Sequence, residues 1–275
     1  MSRIENAQRI TSLIQSEVEL NKLFESRKDF ITSGMEPVDA AIKGFRLGEL
    51  IYIGGRPAMG KSKYLLKSLL RISQNVPVLL YSVENGCRRV ANKIISLKQD
   101  GGESFFMDHV GKSNIDVDLS NEELYVSDII YDSIEEYLLF FIKHILERKV
   151  KVIAIDDLHL LPVCNGGLNT IELLKEICIL FKVTIIVTGT VLPDCELRGG
   201  DKKPRLKDVN LEPSKKFDLD IILLLYRPEY YGFIEDQWGN STSGRLEVII
   251  AKDRENEPFD FTVDCLFTSK EDGEN

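Results

Sequence analysis

Apolar positions along this chain follow two rhythms. Short, largely apolar stretches fall at residues 49–53, 76–83, 151–155 and 183–188. Such runs read as strands buried on both faces. In other segments apolar residues recur every three or four positions, at 61–73, 86–98, 134–148 and 169–181. Those read as helices. Strands interleaved with helices predict βαβ units, hence an α/β fold with a mostly parallel central sheet flanked by helices. Two further runs, 221–226 and 246–251, have no helical segment between them and predict antiparallel strands near the C-terminus. Residues 99–121 are polar and Gly-containing, and read as a surface insertion. Upstream, Ile4, Ile10, Ile14, Val18, Leu20, Leu23 and Phe24 lie among polar residues, as in an amphipathic helix. That helix either packs on its own domain or serves as a linker arm to a neighbouring subunit. A turn at Thr32-Ser33-Gly34-Met35-Glu36-Pro37 separates it from the rest. The expected division is therefore a linker-type helix, 1–31, and one α/β domain, 32–275.

Composition narrows the class. With 275 residues, 43% hydrophobic and 29% charged, the chain can bury a sizeable core. Its net charge of -9 argues against a nucleic-acid binder that works through its whole surface, and leaves room for a local basic loop. Five scattered cysteines without Cys-x-x-Cys spacing give neither a disulfide framework nor a zinc site. They fit a reducing cytoplasm, the expected location. No apolar run is long enough to span a bilayer, so no membrane association is expected.

The most specific feature is Gly55-Arg56-Pro57-Ala58-Met59-Gly60-Lys61-Ser62. It fits G-x-x-x-x-G-K-S/T directly after a predicted strand and directly before a predicted helix. Glycines let backbone N–H groups converge on phosphates, and the helix start adds partial positive charge. Lys61 is placed to reach the β- and γ-phosphates, and the Ser62 hydroxyl to bind Mg2+. The implied cofactors are ATP and Mg2+. Strand 151–155 runs into Asp156 and Asp157, and Asp156 is the candidate magnesium acid. Asp157 is left open. Strand 76–83 runs into Glu84, a candidate base for the attacking water or, in a plainer role, a cap for the helix that begins near Gly86.

These residues together resemble the C-terminal motor domain of DnaB-type replicative helicases, RecA-like phosphate-loop ATPases that act as hexameric rings on DNA. The resemblance rests on residues 55–62, Ser82-Val83-Glu84, residues 153–160 and Lys252-Asp253-Arg254. It also rests on the lead-in segments 34–39 and 44–50, and it runs from about Thr32 to Phe267. It implies a RecA-like phosphate-loop NTPase fold, with Glu84 as catalytic carboxylate beside Lys61. It further implies that Lys252 and Arg254 are given across a subunit interface to the neighbour's γ-phosphate. Single-stranded DNA is the implied substrate track, and a primase, a loader or a separate assembly domain are implied partners.

The chain departs from the family pattern in three places. Only a short helix precedes Thr32, where the family has a helical assembly domain. Thr188-Gly189-Thr190 stands where a polar sensor such as Gln is usual. Glu255 and Glu257 follow the Lys252-Asp253-Arg254 segment. The DNA-facing stretch is expected at 198–216, through Lys202, Lys203, Arg205 and Lys207. Two other functions fit the same residues: a RecA-like switch or loader that binds a protein partner without unwinding, and a nucleotide-binding assembly protein without turnover.

Overall fold

The computed structural model describes residues 30–99, 114–118, 123–162, 169–200, 202–254 and 261–266. The predicted helix at 4–24 lies outside them. A small antiparallel pair, β1 (Phe30–Ile31) and β2 (Phe45–Arg46), brackets helix α1 (Glu36–Ile42). The folded unit thus takes in residues 30–31, just ahead of the expected boundary. The rest is built on a nine-stranded sheet.

In chain order its strands are β3 (Leu50–Gly55), β4 (Val78–Tyr81), β5 (Asn114–Asp118), β6 (Glu123–Ser127) and β7 (Val152–Ile155). They continue with β8 (Thr184–Thr190), β9 (Ile221–Tyr226), β10 (Arg245–Lys252) and β11 (Phe261–Leu266). Across the sheet the order is β11-β10-β9-β3-β8-β7-β4-β6-β5. From β9 to β6 the neighbours are parallel. β5 pairs antiparallel with β6 at one edge, and β10 with β9 and β11 at the other. The antiparallel C-terminal strands are as expected. β5 is a correction, because it falls inside the stretch 99–121 read as a surface insertion. β6, with only the three-residue run Leu124-Tyr125-Val126, and β11 were not legible.

Period-two burial feeds two cores. Ile51, Ile53, Val78 and Leu80 face one side, under helices α2 (Lys61–Ile72) and α3 (Gly86–Gln99). Leu50, Tyr52, Leu79 and Tyr81 face the other, under α4 (Ile134–Arg148) and α5 (Thr170–Phe181). α4 starts at Ser133, whose side chain accepts from the Glu136 N–H, and α5 at a capping box of Asn169 and Glu172. A short helix, α6 (Pro213–Phe217), lies between β8 and β9. The carboxyl ends of β3, β8, β7 and β4 therefore stand side by side. In an open α/β sheet that edge is where ligands bind.

Candidate active site

β3 delivers the chain into the loop 55–62, and α2 starts at its end. Gly60 takes φ +86° as the N-cap and offers no side-chain cap to the helix N–H groups, which are left to meet an anion. Ala58 also sits at φ +65°, a conformation that costs a residue with a Cβ about 1 kcal/mol. Met59 is buried in the core and anchors the loop, while Pro57 and Ala58 are exposed. Arg56 turns away from the loop's mouth: it donates to the Val191 carbonyl at 3.1 Å and to Glu196 at 3.3 Å. Of the residues expected to hold nucleotide, Arg56 and Met59 thus offer backbone only.

Lys61 folds back on the loop, donating to the carbonyls of Gly55 at 3.0 Å and Arg56 at 3.4 Å. Burial lowers the pKa of its ammonium, and the charges of Asp157, Asp156 and Glu84 oppose that shift. The three acids singled out by strand position thus converge electrostatically on this one cation. Ser62, half-buried, occupies the next position of the helix.

Asp156 is 5% exposed. Its Oδ1 accepts from the Thr188 hydroxyl at 2.8 Å, and its Oδ2 from the Asn85 amide at 3.2 Å. Lys93 in turn donates to Asn85 at 2.7 Å. Neither Thr188 nor Asn85 was flagged as a partner of Asp156, because only the fold brings β4, β7 and β8 together. Asp157 caps the single turn Leu158–Leu160 by accepting from the His159 N–H at 3.1 Å. Burial pushes its carboxyl above the ordinary value. Glu84 is exposed at the same edge. The alternative of Glu84 as a helix cap is met by another residue: Asp128 accepts from the Cys87 N–H at 2.8 Å.

Thr188 and Thr190 divide the work at the altered sensor position. Thr188 is buried against Asp156, while Thr190 lies 3.2 Å from His159 Nε2. Gly189 between them is required by packing, since a Cβ there would come within 2.4 Å of the Tyr52 hydroxyl. Arg227, directly after β9, donates to the Ala58 carbonyl at 3.5 Å and is a cation beside the phosphate loop that motif reading missed.

Two cations expected at a neighbour's phosphate are turned inward here. Lys252 Nζ donates to the carbonyls of Lys216 and Phe217, each at 3.0 Å, and to that of Leu219. Arg254 forms a two-pronged pair with Glu49, one prong at 2.7 Å, and donates to the carbonyls of Ile42 at 3.0 Å and Gly44 at 3.1 Å. Its side chain is 9% exposed. Glu255 and Glu257 lie outside the described residues.

The basic stretch is divided in the same way. Lys203 pairs with the buried Glu247 at 2.5 Å, and Lys202 donates to the Glu196 carbonyl at 2.5 Å. Arg205 and Lys207 are exposed. Among the described residues no cluster of three His, Cys, Asp or Glu side chains could hold a metal on its own. No helix among them is long and apolar enough to cross a membrane.

The DnaB-like helicase C-terminal domain family matches residues 31–271. The chain belongs to this family. Replicative helicases named in Bacillus subtilis and Helicobacter pylori are 25% and 27% identical to it, over 88% and 73% of the chain. Those alignments cover 56% and 44% of the relatives, so the chain spans about half the length of the curated relatives it matches. A solved ATPase domain superposes with a TM-score of 0.65 at 25% identity, covering 92% of this chain and 94% of that one. A DnaB-like replicative helicase solved in a study of its interactions with primase gives 0.62 at 22%, over 95% of this chain and 72% of that one. A KaiC-like protein of Pyrococcus horikoshii gives 0.52 at 16%, over 85% and 92%, which bears on fold alone. The fold is RecA-like, as the strand order and the family both have it.

Proposed function

We propose that this chain is the motor domain of a DnaB-like DNA helicase, hydrolysing ATP between subunits of a ring and tracking along single-stranded DNA. The observation that carries the reading is the 55–62 loop between β3 and α2, ending in Lys61 and Ser62, with the ends of β7 and β4 that lead to Asp156 and Glu84 in the same row of parallel strands. Loop N–H groups and Lys61 hold the β- and γ-phosphates, with Lys61 exchanging its two carbonyl partners for phosphate oxygens. Glu84 takes a proton from water as that water attacks the γ-phosphorus and the bond to the β-phosphate oxygen breaks, leaving ADP and phosphate. Ser62 and Asp156 fit a magnesium ion that arrives with the nucleotide. Asp156, already accepting from Thr188 and Asn85, is oriented to contact such an ion through water. Held there by Ser62 and, through water, by Asp156, such an ion would supply positive charge against the charge that develops on the phosphates. A hexameric ring, a cytoplasmic setting and a primase, loader or separate assembly domain as partner belong to the same reading.

Strand separation on a forked DNA, with and without ATP, tests it. Unwinding should require ATP and be lost in Lys61→Ala together with nucleotide affinity. Nucleotide affinity unchanged in Lys61→Ala would remove the site assignment. A second reading, an ATP-driven switch or loader acting with a protein partner, is favoured by the internal engagement of Arg254, Lys252 and Lys203. ATP turnover without strand separation would select it.

A further inference from the structure

The connection after β7 and the connection after β8 meet over a cavity of about 530 Å³, lined among others by His159, Leu192, Lys207, Asn210, Lys215 and Lys216. The one acid of this lining, Glu212, pairs with Lys215 at 3.4 Å, and Lys216 donates to the carbonyls of Leu206 at 3.1 Å and Lys207 at 3.4 Å, so exposed Lys207 is the cation best placed for an outside anion. The far wall is stitched to the end of β8. Asn210 N–H donates to the Thr190 carbonyl at 3.3 Å, Leu192 N–H donates to the Asp208 carbonyl at 2.7 Å, and Val191 bridges Val209. The near wall is His159.

His159 has three attachments. Its N–H is accepted by Asp157 Oδ1 at 3.1 Å, its Nε2 lies 3.2 Å from the Thr190 hydroxyl, and its ring faces the cavity. The ring contact is a hydrogen bond in either tautomer, since a hydroxyl both donates and accepts. Asp157, held by the His159 backbone, is one of the charges acting on Lys61. Two residues before Thr190, on the same strand, Thr188 holds Asp156. Among the described residues His159 is the lining residue whose backbone N–H is held by one of the two acids.

We infer that His159 is a positioning residue that couples occupancy of the basic cavity by a phosphodiester strand to the placement of Asp157, next to Asp156 at the carboxyl end of β7. The inference rests on the single-stranded DNA reading above and adds the residue through which DNA is felt. A strand phosphate drawn in by Lys207 and its neighbours offers the imidazole a charged acceptor in place of the neutral Thr190 hydroxyl. Charge-assisted bonds are roughly twice as strong as neutral ones, so the ring leaves Thr190. Its backbone N–H, and with it the Asp157 cap of a one-turn helix, shifts as a consequence.

The test uses the full chain, ATP with magnesium, and an oligothymidylate. The readouts are kcat and KM for ATP with and without the oligonucleotide, and oligonucleotide affinity by fluorescence anisotropy. In His159→Ala the stimulation of kcat should fall about fivefold or more, within the usual range of site-to-site coupling. KM for ATP should hold, and oligonucleotide affinity should stay within about threefold, because charge supplies most of it. His159→Gln, whose amide can still reach Thr190, should keep most of the stimulation. Undiminished stimulation in His159→Ala overturns the inference. So does a parallel loss of oligonucleotide affinity, which would make His159 a binding residue only. A Gln variant no better than Ala, with a lowered thermal midpoint in both, gives His159 a merely structural role and also overturns it. Wild-type protein that is neither bound nor stimulated by the oligonucleotide refutes the single-stranded DNA reading itself, a failure visible without any substitution.

Discussion

Arg254→Ala removes a guanidinium that is 9% exposed and paired with a Glu49 carboxylate that is 8% exposed. After the substitution Glu49 keeps the Arg46 N–H at 2.8 Å, and the carbonyls of Ile42 and Gly44 lose their donor. Removing one partner of a buried ion pair costs about 3–5 kcal/mol, because the other charge stays behind unpaired. The residual exposure of both side chains places the expectation at the lower end, about 3 kcal/mol. For a domain of this size each kcal/mol lowers Tm by roughly 2–4 °C, so a fall of roughly 6–12 °C is expected. Removing both charges in Glu49→Gln/Arg254→Met should return more than half of it, since buried pairs are often replaceable by apolar groups at little cost. Thermal unfolding followed by circular dichroism at fixed protein concentration measures all of this. A fall of less than about 2 °C in Arg254→Ala would refute the clasp. The same variant then informs the trans role. To reach a neighbour's phosphate, Arg254 must leave Glu49 and two carbonyls. Hydrolysis should therefore be read well below the variant's own midpoint. Mixing it with Lys61→Ala subunits should restore turnover only if Arg254 serves across an interface.

Three further outcomes follow from the site. Glu84→Gln should keep nucleotide affinity and slow hydrolysis by about 100- to 10,000-fold, the usual contribution of a general base; near-normal turnover in a phosphate-release assay would dismiss Glu84 from that role. The Arg56 hydrogen bond holds the Glu196 carboxyl below its ordinary value. Its stabilising contribution is therefore complete above the unfolded value, about 4.3, and is lost as pH falls through the folded one. Denaturation midpoints between pH 6 and pH 3 should drop more steeply for wild type than for Glu196→Gln, and parallel curves would sink the argument. Arg205→Glu/Lys207→Glu should weaken oligonucleotide binding and flatten its salt dependence without unfolding the protein, whereas Lys203→Glu should destabilise the fold by facing buried Glu247 with a like charge.

Much of the fold was legible because burial imposes period. β3, β4, β7 and β8 lie within the parallel part of the sheet, are covered on both faces, and read as largely apolar stretches. The helices over them show their buried stripe. β5, β6 and β11 were not legible. β5 and β6 read Asn-Ile-Asp-Val-Asp and Glu-Leu-Tyr-Val-Ser, and β11 reads Phe-Thr-Val-Asp-Cys-Leu. Their apolar stretches are short and interrupted by polar residues and acids, so neither rhythm stands out. The phosphate loop was legible from spacing, because the need for backbone N–H groups to converge constrains residue type position by position.

What spacing does not encode is the partner a long cation takes once the chain is folded. Arg254 is 205 residues from Glu49, and Lys203 is 44 residues from Glu247. A guanidinium or ammonium inside a fold cannot stay unbonded, and it takes the nearest carboxylate or carbonyl that topology supplies. β10 carries Arg254 to the turn before β3, and the stretch after β8 carries Lys203 over β10, so both are taken up within one chain. The Asp156 network has the same origin. Thr188 and Asn85 are unremarkable in sequence and become its partners because parallel pairing puts the ends of β8, β7 and β4 in one row. Residue type marks where phosphate chemistry can occur, but strand order decides which acids are oriented for it and which cations remain exposed to meet an outside anion. By that criterion Arg205 and Lys207 are better placed than Lys202 and Lys203 to meet a nucleic-acid backbone.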